Sequence, residues 1–149
     1  MSPMSQKSKL DLAYAAGIVD GEGCIGIYKQ KNTELQFGYT YGLTVTVGMC
    51  SAAIPMWLYK TFGGNLNTHE GRKDHYKRVY NWQVAAREGK LFLELILPYL
   101  KEKTGQAKVA IEFQEIREGA SQPNQYRHKT AAVLEAEGIL AAKLKLLKT

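Results

Sequence analysis

The N-terminal part of the chain changes from a helical to an extended apolar period at a pair of glycines. Residues 8–20 (SKLDLAYAAGIVD) space their apolar positions as a helix does, and Ser8 is a favourable N-cap. We expect Gly21 and Gly23 to stop this helix. From Cys24 to Tyr28 the period is two, which is typical of a strand.

A second extended run completes a β-hairpin. Residues 39–47 (YTYGLTVTV) alternate after the polar tip KQKNTE. In this run Leu43 and Val45 share one face, whereas Thr44 and Thr46 share the other. The predicted sheet therefore has one apolar face and one polar face.

The remainder of the chain repeats the order helix, strand, strand and then ends in helices. Residues 51–62 predict a helix that begins at Ser51 and ends at the Gly63–Gly64 pair. Two strands, an apolar helix and two C-terminal helices follow, over residues 65–69, 76–86, 88–100, 105–118 and 129–147. We predict an α+β fold in a single domain (1–149), with an αββαββα core (8–107), one antiparallel four-stranded sheet and additional C-terminal helices (108–149).

Composition excludes a membrane-spanning chain. Apolar residues make up 45% and charged residues 23%, and no apolar run approaches the roughly 20 residues that a bilayer requires. Residues 1–9 lack the apolar stretch of a secretion signal, so we expect an intracellular protein, with organelle, bacterial or phage origin left open. Cys24 and Cys50 lack metal-ligand spacing, and we expect both to be unpaired.

The charge balance favours a polyanionic partner. The formal net charge is +6, and residues 69–108 carry most of the excess, with 9 basic and 5 acidic side chains. Basic surfaces bind phosphates with release of counterions. Many basic domains bind no nucleic acid, so the charge alone decides nothing.

Two acids stand at the end of the first predicted helix, in the stretch AAGIVDGEG (15–23). Asp20 and Glu22 would face the negative end of the helix dipole, which costs about 0.3–1 kcal/mol per charge unless something offsets it. A divalent cation would offset it, and Mg²⁺ is commonly held by one or two carboxylates plus water and phosphate oxygens. The alternative is a polar turn in which Asp and Gly serve turn chemistry alone.

The same stretch resembles the signature of the LAGLIDADG homing endonucleases. It matches at Ala16, Gly17, Asp20 and Gly23, and Glu22 replaces the final Asp of the motif. Two further blocks resemble the family, FGGNL and LPYLKEKTGQA, and the three together span most of residues 10–110. The resemblance implies a metal-dependent endonuclease with an αββαββα core.

The resemblance also implies catalytic roles. Glu22 would be the metal ligand at the scissile phosphate, with Gly21 as a further metal-site position, and Lys103 would lie at the active-site periphery. Asp20 belongs to the helix-end architecture rather than to the ligands. Relatives often carry a polar residue where this chain has Cys50 and Ser51, so Ser51 is a candidate catalytic residue or a plain N-cap. The implied cofactor is Mg²⁺, with Mn²⁺ as a substitute and Ca²⁺ supporting binding without cleavage.

A single motif implies a homodimer. Ala13 and Gly17 form a small-residue stripe along which two helices can approach closely, and the resemblance adds Ala16 and Asp20 to this interface. Two copies would bind a palindromic or nearly palindromic duplex of about 20 bp, with cleavage leaving short 3′ overhangs.

Strand alternation nominates the residues that would read DNA. Counting by two from the end of the motif places Gly26, Tyr28, Gln30 and Asn32 on the polar side, away from Ile25 and Ile27. Thr44 and Thr46 join them, and basic residues at loop tips would hold phosphates. The remaining candidates are Lys29, Lys31, Asn67, His69, Arg72, Lys73, His75, Lys77, Arg78 and Tyr80. Trp57 and Trp82 are expected in the core.

Three alternatives remain open on sequence. A protein of the same fold that binds DNA without cleaving it would lack a motif acid, whereas Glu22 is present. An intron RNA maturase would use a basic surface elsewhere, such as Arg127, His128 and Lys129. A structural protein with a basic surface is the third alternative.

Overall fold

The computed structural model describes residues 7–70, 78–119 and 130–148. Helices and strands follow one another in the predicted order, and the α+β prediction is confirmed. The elements are α1 (Lys9–Glu22), β1 (Gly23–Lys31), β2 (Tyr39–Met49), α2 (Ala53–Phe62), β3 (Asn65–His69), β4 (Val79–Ala85), α3 (Ala86–Ile96), α4 (Thr104–Gly119) and α5 (Ala131–Leu147). A 3-10 turn, Leu97–Tyr99, lies between α3 and α4.

Helix α1 begins as predicted and ends later. The Ser8 Oγ accepts a hydrogen bond from the Asp11 N–H at 3.1 Å, so Ser8 is the N-cap. The prediction that Gly21 stops the helix is wrong, because the helix continues through Glu22. Gly23 ends it by adopting an extended conformation, and only glycine fits there, because a Cβ would lie 2.8 Å from the Val19 Cα. The two acids are therefore in the last helical turn.

The start of α2 also differs from the prediction. Ala52, not Ser51, is the N-cap residue, and it makes no side-chain capping bond. The interpretation of Ser51 as an N-cap is therefore wrong. The end of α2 is as predicted, because Gly63 and Gly64 adopt positive φ angles of 78° and 88° that suit glycine.

The segment around Pro98 is divided, where one helix was predicted over 88–100. Helix α3 begins two residues earlier, at Ala86, and ends at Ile96. The 3-10 turn that contains Pro98 closes with a 3.3 Å hydrogen bond from the Leu100 N–H to the Leu97 carbonyl. Proline lacks the N–H that an α-helix would use there, which explains the break.

The four strands form one antiparallel sheet in the order β1-β2-β4-β3. Register runs from Gly23 opposite Val47 to Lys31 opposite Tyr39 in the first hairpin. Because β4 pairs only with residues 44–49 of β2, the hairpin end of β2 projects beyond it. At this free edge Arg117 of α4 donates hydrogen bonds to the Thr40 hydroxyl and to the Tyr41 carbonyl.

The core lies between one face of the sheet and the helices. Val45 and Trp82 lie on this face and are completely buried, as is Phe92 of α3, whose ring packs against Trp82. The Trp82 Nε1 donates to the Gly63 carbonyl at 2.8 Å, which satisfies its polar atom inside the core. Removing a buried aromatic ring of this kind costs about 3–5 kcal/mol of folding free energy. Trp57 is half-buried, with its ring against Tyr14 and Phe62.

Two expectations about the whole chain can be checked on the described ranges. Cys24 and Cys50 are both free, as predicted. None of the helices in these ranges combines the length and the apolar character needed to cross a membrane.

Candidate functional site

Glu22 stands at the junction between α1 and β1. It is the last residue of α1, and Gly23 begins the edge strand. Its side chain is exposed and makes no hydrogen bond or ion pair within the described ranges. An unpaired carboxylate at the negative end of a helix is an unfavourable arrangement unless a cation binds there.

Asp20 has the opposite environment. Its carboxylate accepts hydrogen bonds from the backbone N–H groups of Lys101, Glu102 and Lys103, at 2.8, 3.2 and 2.9 Å. Burial opposes the charge, but these hydrogen bonds together with the Lys103 ammonium hold the pKa of Asp20 below its ordinary value. Asp20 thus fastens the segment that precedes α4 to the end of α1, within its own chain.

Lys103 completes the link between the two segments. Its Nζ donates to the Asp20 carbonyl at 2.7 Å, and the residue is half-buried. The predicted catalytic pair, Glu22 and Lys103, is therefore brought to the same end of α1. Ser51 is exposed in the bend between β2 and α2 and belongs to neither segment.

The side chains at this end of α1 could supply only some of the ligands of a divalent cation. The described ranges contain no group of three His, Cys, Asp or Glu side chains that could enclose a metal. One exposed carboxylate, Glu22, is available at the end of α1, with the backbone of Gly21 beside it. This set suits Mg²⁺, which keeps several waters and takes phosphate oxygens as ligands, better than a metal that needs a protein cage.

The side of the sheet away from the helices, which we call the polar face, extends from this site. The register aligns rows of residues across the strands. One row is Cys24, Thr46, Gln83 and Asn65, and the next contains Gly48, Asn81 and Asn67. Thr44 and Thr46 lie on this face as expected, and the candidates Asn67 and His69 lie on it too.

Asn65, Asn81 and Gln83 were not among the predicted residues. They face the same way because they alternate with the buried Trp82 and its partner Leu66. Because neighbouring residues of a strand face opposite sides, a core position for Trp82 could have placed Asn81 and Gln83 on the polar face.

Several predicted readers are placed differently. Gly26 is buried under the ring of Tyr28, since a Cβ on Gly26 would lie 2.3 Å from that ring. Burial raises the pKa of Tyr28, and its hydroxyl lies 3.8 Å from the Cys24 Sγ. Asn32 is in the turn, where its Oδ1 accepts from the Glu34 N–H at 3.0 Å. Tyr80, another candidate for DNA contact, lies on the helix side with Trp82 and is not presented by the polar face.

The predicted phosphate contacts lie at the far end of the hairpin and in the β3–β4 connection. Lys29, Gln30 and Lys31 are exposed, and the Lys29 Nζ lies 4.1 Å from the centre of the Tyr39 ring. Arg78 is exposed and paired with Glu70 at 2.6 Å. Arg72, Lys73, His75 and Lys77 lie outside the described residues, as do Arg127, His128 and Lys129.

The outer surface of α1 is apolar and made of small residues. Ala13, Gly17 and Gly21 are exposed at a spacing of four, and a Cβ on either glycine would meet no atom within 4 Å. We call these three residues the α1 stripe. Ala16 does not belong to it, because it is completely buried in the core of its own chain, and its prediction as an interface residue is wrong.

Large apolar side chains flank the α1 stripe, although the sequence reasoning did not select them. Leu10 and Tyr14 are 83% and 53% exposed. A groove of about 480 Å³ runs between α1 and α2 beside them, lined by Leu10, Asp11, Tyr14, Ala53, Ile54 and Trp57. An apolar helix face of this kind is typical of a surface that packs against another protein surface.

Solved structures provide the comparison with known proteins. The homing endonuclease I-CvuI, solved with DNA targets in the presence of magnesium or calcium, is 27% identical, with a TM-score of 0.77 in its magnesium complex over 93% of this chain and 82% of that one. The archaeal intron-encoded homing endonuclease I-Vdi141I, solved with DNA, has a TM-score of 0.73 at 12% identity, over 95% and 86% of the two chains.

A third neighbour is matched over less of its length. The LAGLIDADG homing endonuclease I-SmaMI, bound to cleaved DNA, has a TM-score of 0.65 at 19% identity, over 91% of this chain and 44% of that one. No protein-family model and no curated protein matches the chain.

Proposed function

We propose that this chain, which has the fold of the LAGLIDADG homing endonucleases, is a site-specific endonuclease of double-stranded DNA. The observation that carries the proposal is the arrangement at the end of α1. There Asp20 fastens the segment before α4, and an exposed Glu22 and a tethered Lys103 share one end of the helix. The solved DNA complexes of I-CvuI and I-Vdi141I support a DNA substrate.

The polar face would provide the DNA contact. A β-sheet can enter the major groove, where each base pair presents a distinct pattern of donors and acceptors. The rows across the polar face carry amide and hydroxyl groups suited to base edges, among them Thr46, Asn81 and Gln83. The exposed lysines at the hairpin end, Lys29 and Lys31, would hold phosphates.

In the cleavage step Glu22 would hold Mg²⁺, with the backbone at Gly21 beside it. Bound Mg²⁺ supplies activation of a water and neutralisation of charge on the phosphate and the leaving 3′ oxygen. An ammonium has three donors, and the Asp20 carbonyl takes one from Lys103, so two remain for phosphate oxygens or ordered water. By holding the backbone of residues 101–103, Asp20 would keep the Lys103 ammonium at the same end of α1 as Glu22.

Cleavage of both strands would require two copies. One chain provides one exposed motif acid, and the α1 stripe leaves room for the backbone of a second α1. The comparison with I-SmaMI supports this, since nearly all of this chain corresponds to less than half of that one. A twofold dimer would present two polar faces and two acids to a palindromic site of about 20 bp.

The function is tested by incubating the protein in Mg²⁺ with a library of partly palindromic duplexes and sequencing the ends produced. Cuts with short 3′ overhangs at the centre of one symmetric site are expected. Glu22→Gln should bind that site and cut it roughly 10²–10³-fold more slowly. In Ca²⁺ the parent should bind without cutting, whereas Mn²⁺ should replace Mg²⁺ in cleavage. Glu94→Gln, a change of an exposed acid on α3, is the matched control and should cut normally.

Binding without cutting by the parent would favour a DNA-binding regulator, and selective binding of intron RNA would favour a maturase.

The dimer is tested with Gly17→Arg. A Cβ at Gly17 meets no atom within 4 Å, so the isolated chain can accept the side chain, whereas a closely packed second helix cannot. We expect a folded monomer by sedimentation that no longer cuts both strands. Ala142→Arg, on the exposed side of α5, is the control and should remain a dimer. A Gly17→Arg protein that still sediments as a dimer would contradict the proposed interface.

A further inference from the structure

A polar pocket lies directly beside the candidate cleavage site. It has a volume of about 390 Å³ and is bounded by the start of β1, the start of α4 and the end of α5. We call it the α5 pocket. Its lining residues are Gly23, Cys24, Glu102, Lys103, Gln106, Leu147 and Lys148.

Lys148 brings a second ammonium into this pocket. Its Nζ donates to the Cys24 Sγ at 3.4 Å, across 124 positions of sequence. Cys24 is two residues beyond Glu22, and it begins a row of the polar face. The C-cap of α5, which lies outside the core predicted for residues 8–107, therefore brings a cation to the same pocket as Lys103.

The existing contacts leave both cations able to bind a ligand. A thiol is a weak acceptor, and Lys148 is exposed, so the contact with Cys24 orients the ammonium without neutralising it. Lys103 gives one of its three donors to the Asp20 carbonyl. Gln106 also lines the pocket, and its buried Oε1 has no hydrogen-bond partner among the described residues. Glu102 is the only acid lining the described part of this pocket.

We infer that Lys148 binds a phosphate of the cleaved DNA strand beside the scissile phosphate, so that α5 completes the cleavage site. The inference rests on the proposed function, because Glu22 locates the scissile phosphate. The chemistry recognised is the single negative charge of a phosphodiester, which an ammonium pairs with at little geometric cost. Lys148 acts as a positioning residue that fixes the strand against Glu22 and Lys103.

The alternative is that Lys148 only fastens α5 to β1 through Cys24. Two substitutions separate these roles. Lys148→Met keeps the length and apolar stem of the side chain and removes the charge, whereas Cys24→Ala removes the contact and keeps the charge. Lys145→Met removes an exposed charge from the last turn of α5, three residues before Lys148, and is the matched control, and Lys148→Arg should restore function.

The test measures the salt dependence of DNA binding in Ca²⁺ and single-turnover cleavage in Mg²⁺ with the full chain. For Lys148→Met we expect cleavage to fall about tenfold or more, because a misplaced strand reacts slowly. The slope of log K against log salt should fall by about one for each subunit, since one phosphate contact is lost. Lys145→Met should change neither quantity, and Cys24→Ala should change both less than Lys148→Met does.

A modified substrate locates the contact. A neutral methylphosphonate next to the scissile phosphate should slow the parent as Lys148→Met does, and the two changes together should cost no more than either alone. Additive effects, or a Lys148→Met protein equal to Lys145→Met, would overturn the inference. If the parent does not cleave any duplex, the salt slope on a mixed-sequence duplex still decides whether Lys148 binds phosphate, and only the proposed function fails.

Discussion

Asp20 and Glu22 are separated by one glycine, yet the protein treats the two carboxylates in opposite ways. Asp20 accepts three backbone hydrogen bonds from residues 101–103 and is drawn into the fold. Glu22 is exposed and makes no hydrogen bond or ion pair in the described ranges. The two sit in one helical turn and share the same unfavourable dipole, so sequence spacing does not distinguish them.

The difference follows from what each acid faces. Successive residues of a helix are rotated by about 100°, so residues two apart point to different sides. Asp20 points to the segment just before α4, where the backbone N–H groups of residues 101–103 donate to its carboxylate. Glu22 points to solvent at the edge of the polar face. One carboxylate is thus neutralised by the protein, and the other remains available to a ligand.

The largest expected effect is on cleavage by Glu22→Gln. Loss of the charge that holds the metal should lower the cleavage rate by roughly 10²–10³-fold. The free energy of unfolding should change by less than about 0.5 kcal/mol, because the side chain contacts nothing that would be lost. Single-turnover kinetics and urea unfolding measure the two quantities. A large loss of stability would show that Glu22 has a structural role and would break the contrast with Asp20.

Asp20→Asn, unlike Glu22→Gln, should lower the free energy of unfolding. The amide keeps one acceptor oxygen but loses the charge, so the hydrogen bonds to residues 101–103 weaken and the free energy of unfolding falls by about 1–3 kcal/mol. Cleavage should decrease as well, since Lys103 loses its fixed position. Asp11→Asn is the control, an acid at the other end of α1. An Asp20→Asn protein as stable as the parent would contradict the role assigned to these hydrogen bonds.

The pKa of Asp20 gives the same comparison a pH dependence. Its pKa is lowered from 3.8 in the folded protein, so the carboxylate stabilises the fold above about pH 4. That contribution is lost as the pH falls through the lowered pKa. Asn does not titrate, and the difference in unfolding free energy between parent and Asp20→Asn should therefore shrink as the pH falls from the ordinary pKa of 3.8 through the lowered pKa of the folded state. Urea unfolding of both proteins measures it, and a difference that stays constant with pH would contradict the assignment.

The sequence was sufficient for the order of elements, because hydrophobic periodicity is a local property. The change from period 3.6 to period two at Gly23 located the start of β1, and the Gly63–Gly64 pair located the end of α2. The periodicity did not predict the end of α1 correctly, because a contact with a distant part of the chain determines it. Gly21 remained helical because the last turn of α1 is held through Asp20 by residues more than eighty positions away.

The same limit applied to the site. Glu22 and Lys103 were nominated through a family resemblance, whereas the contact of Lys148 with Cys24 joins parts of the chain that no local rule connects. Other misses could have been avoided. Ala16 lies four residues after the buried Leu12, which places it on the buried side of α1, and Tyr80 alternates with Trp82.

The smallest effect is expected from Glu22→Asp, which moves the Glu22 carboxylate without removing its charge. Glu22→Asp shortens the side chain by one methylene and restores the acid that the motif usually carries at this position. Mg²⁺ takes most of its ligands from water and phosphate, so these ligands can absorb the shift, and cleavage should stay within about tenfold of the parent. The free energy of unfolding should not change, because the exposed carboxylate has no partner within the described ranges to lose. A loss of 100-fold or more in single-turnover cleavage would show that the glutamate length is itself part of the site, as misplacement of about 1 Å can cost that much.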